Sequence, residues 1–142
     1  MNRPVPPLRE LWPVLAVISL GGALGALARH GLDTAWPPAA SGVSWTILAV
    51  NVSGSALIGV LMELLNHRWP DSRFVRVFWG VGVLGGYTTF SAYALDTVTA
   101  LERGAPQTAL AYLALTLAGA LAGVWAASVV SHRILASGRR ST

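Results

Sequence analysis

Chemistry, if this chain does any, is concentrated in one stretch: Gly80-Val81-Gly82-Val83-Leu84-Gly85-Gly86-Tyr87-Thr88-Thr89-Phe90-Ser91. Two adjacent glycines followed by two threonines weaken a helix in the middle of an apolar run. Backbone that leaves the helix at membrane depth must be buried in protein or must line a water-filled path. Its freed carbonyls can coordinate a cation and its freed N–H groups can meet an anion. The alternative is a kinked but continuous helix whose threonines bond back to their own backbone. Asn51 stands in the middle of an earlier apolar run, where a buried amide is costly unless hydrogen-bonded. It serves either as glue between helices or as a donor to a passing anion. Tyr112 and Thr116 are one helical turn apart and share a face. They read as a short polar track or as ordinary packing.

Enzyme chemistry is not indicated. His30, His67 and His132 fall at separate span ends without metal-ligand spacing, and Ser131-His132 is a neighbouring pair rather than a catalytic arrangement. Gly21-Gly22-Ala23-Leu24-Gly25 lacks the full dinucleotide-binding pattern and the strand that should precede it. Without cysteine there are no disulfides and no thiolate metal sites.

The elements that would position these residues follow from hydropathy. Of 142 residues, 54% are hydrophobic and 11% charged, against about 25% charged in soluble domains. That leaves too little polar surface for a water-soluble globule. The net charge is +4, yet there is no lysine, and the arginines lie almost entirely between apolar stretches. A basic face for nucleic acid is therefore not indicated. A membrane-crossing helix needs about 20 mostly apolar residues. Four such spans are expected in a single domain over residues 1–142, at about 11–29, 45–65, 75–100 and 105–131. The gaps carry Trp36-Pro37-Pro38, Arg68-Trp69-Pro70-Asp71-Ser72-Arg73 and Glu102-Arg103-Gly104-Ala105-Pro106. Pro13 and Pro106 lie near span starts, where a missing N–H costs least. Trp12, Trp45, Trp69 and Trp79 sit near the expected interfaces, as aromatic belts do. Arg3 and Arg9 ahead of a run ending in Ala26-Leu27-Ala28 have the shape of a cleavable signal. The length of that run, its glycines and the three spans after it favour a membrane span instead.

Small residues recur four apart: Gly21 and Gly25, Ser55 and Gly59, Gly82 and Gly86, Gly119 and Gly123. In lipid, close backbone approach supplies the contact that hydrophobicity cannot. Four short spans make a thin bundle, so at least a dimer is expected. Eight arginines fall on one side of the spans (Arg3, Arg9, Arg68, Arg73, Arg76, Arg133, Arg139, Arg140) and two on the other (Arg29, Arg103). The positive-inside rule then predicts both termini in the cytoplasm.

Three segments together resemble the CrcB/Fluc family of bacterial fluoride channels: Gly21-Gly22-Ala23-Leu24-Gly25-Ala26-Leu27-Ala28-Arg29-His30, then Leu48-Ala49-Val50-Asn51-Val52-Ser53-Gly54-Ser55 through Gly59, then Gly85-Gly86-Tyr87-Thr88-Thr89-Phe90-Ser91-Ala92-Tyr93. The third run is specific; the fourth span matches in character only. The resemblance implies an all-α membrane protein with four transmembrane helices, the third broken mid-membrane, paired as an antiparallel (dual-topology-type) dimer with two narrow fluoride pores. It implies a structural sodium ion held by backbone carbonyls of both subunits, which by motif position belong to Gly85 and Thr88. Asn51 matches the family's pore asparagine, Arg29 its vestibule arginine and Phe90 its first pore phenylalanine. Tyr112 and Thr116 look like the first members of its polar track. Tyr93 stands at the second pore phenylalanine, Asp96 at the usual glutamate, Ala94 where serine is common and Ala120 where the track would continue.

The function so implied is passive, fluoride-selective export across the bacterial cell (inner) membrane, lowering cytoplasmic fluoride. Its physics fits these residues. Asn51 and the Thr89 hydroxyl can replace water donors around a strongly hydrated anion. The weakly positive ring edge of Phe90 can face that anion without a full charge that would trap it. A small proton-coupled multidrug exporter is the alternative, but it needs a membrane-embedded carboxylate. Glu63 and Asp96 fall near span ends, and the first span has none. A membrane scaffold without transport is a third reading. A channel that pairs with its inverted copy needs nearly balanced arginines. The bias seen here predicts a fixed orientation and an oppositely inserted paralogue as partner, with a homodimer next.

Overall fold

The structure, a computed structural model, describes residues 8–37 and 43–137. Arg3, Pro38, Arg139, Arg140 and both termini, on which part of the orientation argument rests, lie outside the described residues. Helix α1 spans Leu8–Ala35 and α2 spans Trp45–Arg68. Pro13 lies inside α1 rather than at its start, because the helix begins five residues before it. Ser44 caps α2, its hydroxyl accepting the Ile47 N–H at 3.1 Å, which satisfies one of the orphan donors of a helix start.

The next stretch is built in pieces. A single turn, α3 (Arg73–Val75), runs into a π-helix over Arg76–Leu84 and then into α4 (Gly85–Tyr87). Thr88 and Thr89 are extended, with ψ of 157° and 126°. Helix α5 resumes at Phe90–Glu102. It closes on Gly104, which takes φ of 73°, a conformation that suits glycine. The Ala105 and Gly104 N–H groups bond to the carbonyls of Ala100 and Leu101 at 3.0 and 2.9 Å, a Schellman ending. Helix α6 then runs from Pro106, its first residue, to Ser137.

The glycines explain how these elements pair. Helix α1 lies along the π-helix and α4, and α2 lies along α6. A Cβ added at Gly21 would stand 2.6 Å from the Phe78 carbonyl oxygen, and one at Gly86 would collide with the Gly22 carbonyl. On the other pair, a Cβ at Gly59 would meet the Val124 carbonyl at 2.6 Å, and one at Gly123 the Val52 carbonyl at 3.1 Å. The small-residue faces therefore bring backbone against backbone.

Among the described residues there is no strand, and the core is small: Ile47, Val50, Leu65 and Leu84 are buried, as is a cluster of Val43, Ala100, Ala109 and Tyr112 with Leu48 and Tyr93 packed on it. Trp12, Trp45, Trp69, Trp79, Leu117, Leu121 and Trp125 all face outward. Three helical stretches, Leu11–Ala35, Trp45–Arg68 and Pro106–Ser137, are long and apolar enough to cross a membrane. In the last, 6% of the most apolar window is buried within the chain. Such surfaces belong against lipid or against another chain rather than water.

Candidate functional site

The two extended threonines are held in place by α2. Asn51 Nδ2 donates to the Thr89 carbonyl at 3.0 Å, and the Thr89 N–H donates to Asn51 Oδ1 at 2.9 Å. One amide side chain thus satisfies both polar groups of one peptide residue, as a strand neighbour would. Gly54, one turn further along α2, makes room: a Cβ there would collide with the Thr88 methyl. The Thr88 hydroxyl and N–H both return to the Leu84 carbonyl, each at 3.0 Å. Thr89 Oγ1 accepts the Ala92 N–H at 3.2 Å and so caps α5. It also stands 3.2 Å from Ser91 Oγ.

These bonds divert two helical donors. In an unbroken helix the Thr89 N–H would serve the Gly85 carbonyl and the Ala92 N–H would serve that of Thr88. Here the first goes to Asn51 and the second to Thr89 Oγ1. The same interruption sets a helix C-terminus beside a helix N-terminus. The first carries partial negative charge and the second partial positive charge, so the junction offers acceptors to a cation and donors to an anion.

A groove of about 440 Å³ opens at the start of α5, lined by Asn51 and Ser55 of α2, Thr88, Thr89, Phe90 and Tyr93 along the interruption and α5, and Thr116, Leu117 and Ala120 of α6. It is open to the outside rather than enclosed. Thr116 is 5% exposed, and its hydroxyl is the buried side-chain atom that lacks a hydrogen-bond partner among the described residues. Phe90 is 78% exposed. Its ring lies 5.7 Å from that of Tyr93, whose hydroxyl donates to the Leu113 carbonyl at 3.3 Å. Asn51, Thr88, Thr89, Phe90, Tyr93 and Thr116 therefore share one site.

The other residues singled out from sequence lie elsewhere. Gly85 faces an adjoining hollow of about 150 Å³, where Ser55 and Thr88 also take part, and a Cβ there would meet nothing within 4 Å. Arg29 is half-buried on α1, its Nε 3.4 Å from the Gly86 carbonyl. Tyr112 is 1% exposed and lies beneath the groove, its ring 5.6 Å from that of Tyr93. Its hydroxyl has the Ser44 carbonyl at 3.1 Å and Asp96 Oδ2 at 3.0 Å as acceptors.

Sequence reasoning missed the network that Tyr112 joins. Asp96 Oδ2 also accepts the Ser44 N–H at 3.1 Å, and the Ser44 hydroxyl lies 3.3 Å from Asp33 Oδ1. Two carboxylates thus gather at the α2 N-terminus, where the helix dipole favours them. The serine cap ahead of Trp45 was the available signal. The reading of the histidines also needs correction. His67 and His132 are far apart in sequence, yet their rings meet at 5.4 Å beside Glu63, because α2 and α6 run side by side.

Known proteins resemble this chain over most of its length. Residues 16–128 match the family described as CrcB-like protein, Camphor Resistance (CrcB). The "Fluoride-specific ion channel FluC 1" of Streptomyces coelicolor is 45% identical over 137 residues, covering 94% of this chain and 89% of its own. The "Fluoride-specific ion channel FluC 2" of Nocardia farcinica is 52% identical over 120 residues, 84% of each chain. The protein of the same name from Thermobifida fusca is 49% identical over 124 residues, 87% of this chain and 92% of its own.

Proposed function

The chain belongs to the CrcB-like protein family, and we infer that it is a fluoride-specific ion channel, a membrane protein that passes the anion through the groove at the start of α5. The observation that carries this is the donor set on that groove. Asn51 spends one N–H on Thr89 and keeps a second. Thr116 holds a buried hydroxyl without a partner, and the N-terminal end of α5 lends its dipole. Phe90 is free to present a ring edge. These are neutral donors, strong enough to replace hydration water and weak enough to release the ion. Flow is passive, down the electrochemical gradient, and outward flow lowers cytoplasmic fluoride. Fluoride efflux from liposomes carrying the purified protein, alone and with a co-expressed second subunit, tests this. No flux above empty liposomes in either form sinks it.

Residues 73–102 are read as the third of four crossings, broken at Thr88–Thr89, with the chain in the inner membrane and both termini in the cytoplasm. The functional unit is an antiparallel dimer. Three observations support a second subunit: the open groove, the exposure of Phe90 and the empty space over Gly85. A sodium ion at the centre of that dimer would be held by the Gly85 and Thr88 carbonyls of each subunit. The fit rests on those two carbonyls having lost their helical donors. Carbonyl oxygens suit a hard cation, which would offset their negative ends in lipid. Replacing sodium with a large organic cation should lower the thermal stability of the dimer; an unchanged melt counts against the ion. Arg29, beside Gly86, is read as a vestibule residue. Tyr112 acts from below, tying the pore-facing Tyr93 layer to α2. The arginine bias favours a fixed orientation and a paralogous partner over a homodimer. A reporter fused to the C-terminus that signals from both sides of the membrane would refute the fixed orientation.

A further inference from the structure

We propose that Glu63, His67 and His132 form a binding site for a divalent transition-metal ion of the zinc type, separate from the groove at the start of α5. Glu63 and His67 are four residues apart on α2 and share a face. His132 comes across from α6. One ligand atom from each lies within 4.8 Å of the others. Glu63 Oε2 stands 3.2 Å from His132 Nδ1 and 3.5 Å from His67 Nδ1. Donor atoms around a tetrahedral zinc ion stand about 3.3 Å apart, given bonds of about 2.0–2.1 Å. Two of the three pairs are therefore near ligand spacing before any ion binds, and the third lies within 4.8 Å. His67 Nδ1 also lies 2.9 Å from the Glu63 carbonyl oxygen. Binding through Nδ1 exchanges that contact for the ion, so the ring turns from the carbonyl as the site fills.

Chemistry and position select the ion class. Two imidazoles and one carboxylate suit zinc, nickel or copper rather than magnesium or calcium, which take oxygen donors. Three protein ligands leave a fourth position for water. Glu63 and His67 lie in the last two turns of α2, where the helix dipole favours a cation. His132 is 62% exposed, so it can close on the ion without disturbing packing. One charge opposes binding: Arg133 lines the same hollow of about 240 Å³ with Glu63, Ser128, Val129 and His132. Its removal should tighten the site. A bound ion would staple α2 to α6, the two helices that carry Asn51 and Thr116.

The test uses the full chain, purified without a histidine tag, titrated with zinc chloride by calorimetry near pH 7.5. One zinc per chain is expected, with binding weakened at least about tenfold in His132→Ala and in Glu63→Gln. Arg133→Gln should bind more tightly and His30→Ala should bind as the parent does. Size-exclusion profiles check that each variant is folded; exposed His132 gives the variant least prone to misfold. Absence of saturable binding, parent-like binding in both ligand variants, or the same loss in His30→Ala would overturn the proposal.

Discussion

Changing Asn51 to aspartate tests the site most sharply, because it alters one atom and leaves the shape. The Thr89 N–H keeps its acceptor, now a carboxylate oxygen, at a contact that measures 2.9 Å in the parent. The donor to the Thr89 carbonyl, at 3.0 Å, is lost. An oxygen then faces an oxygen, and a partly buried carbonyl goes unpaired at a cost of about 1–3 kcal/mol. The effect on transport should be larger. A carboxylate on the groove wall repels a fluoride ion passing about 4 Å away by about 4 kcal/mol at an effective dielectric near 20. At tenfold per 1.36 kcal/mol, that is roughly a thousandfold loss of flux. Asn51→Ala is the comparator. It loses both bonds to Thr89 but adds no charge, so it should melt earlier than the aspartate variant and yet conduct better. The assay is fluoride efflux from liposomes followed with a fluoride electrode, on protein whose elution profile matches the parent. If the folded aspartate variant conducts within about tenfold of the parent, Asn51 is a brace for the interruption and the ion passes elsewhere.

Three further outcomes are expected. Gly86→Ala should fail to accumulate as folded protein, because its Cβ meets the Gly22 carbonyl; Gly85→Ala, which meets nothing within its own chain, should fold as a single subunit, and expression with elution profiles separates the two. Thr89→Val strips the cap from the Ala92 N–H and should lower stability by about 1 kcal/mol, whereas Thr89→Ser should restore it; equal melting of both would show that the cap carries no weight. Thr116→Val removes a buried hydroxyl with no partner, so thermal stability should hold or rise by about 1 kcal/mol while fluoride flux falls. Unchanged flux there would remove Thr116 from the ion path.

How much of this was legible in sequence depended on range. The small-residue faces could be read because helical periodicity is local: Gly21 and Gly25, or Gly82 and Gly86, mark their faces without any knowledge of the partner. Which face meets which is a tertiary fact, and the pairing of α1 with the π-helix and α4 had no sequence marker. The Gly-Gly-Tyr-Thr-Thr run likewise announced a weak point in a helix. It did not announce that the weak point is held open from 38 residues away, by an amide whose two ends match one residue's N–H and carbonyl. Of the two meanings offered for Asn51, glue and donor, the structure shows the first: bracing uses one of its N–H groups and leaves the other.

Tyr112 and Thr116 show where shared-face reasoning reaches its limit. They are one turn apart on α6 and both are buried, yet only Thr116 lines the groove. A face defines direction from the helix axis, whereas a tyrosine's polar atom lies at the end of a long ring. That reach carries the Tyr112 hydroxyl past the groove to Ser44 and Asp96 at the start of α2. Asp96 thereby acquires a structural reason for being a carboxylate. It accepts from the Ser44 N–H and from Tyr112, joining α5 and α6 to the N-terminal end of α2. The layer beneath Phe90 and Tyr93 is thus fixed by hydrogen bonds where the apolar core is too small to fix it. Side chains that must meet an ion in one geometry need such a floor, because neutral donors select a small anion by placement rather than by charge.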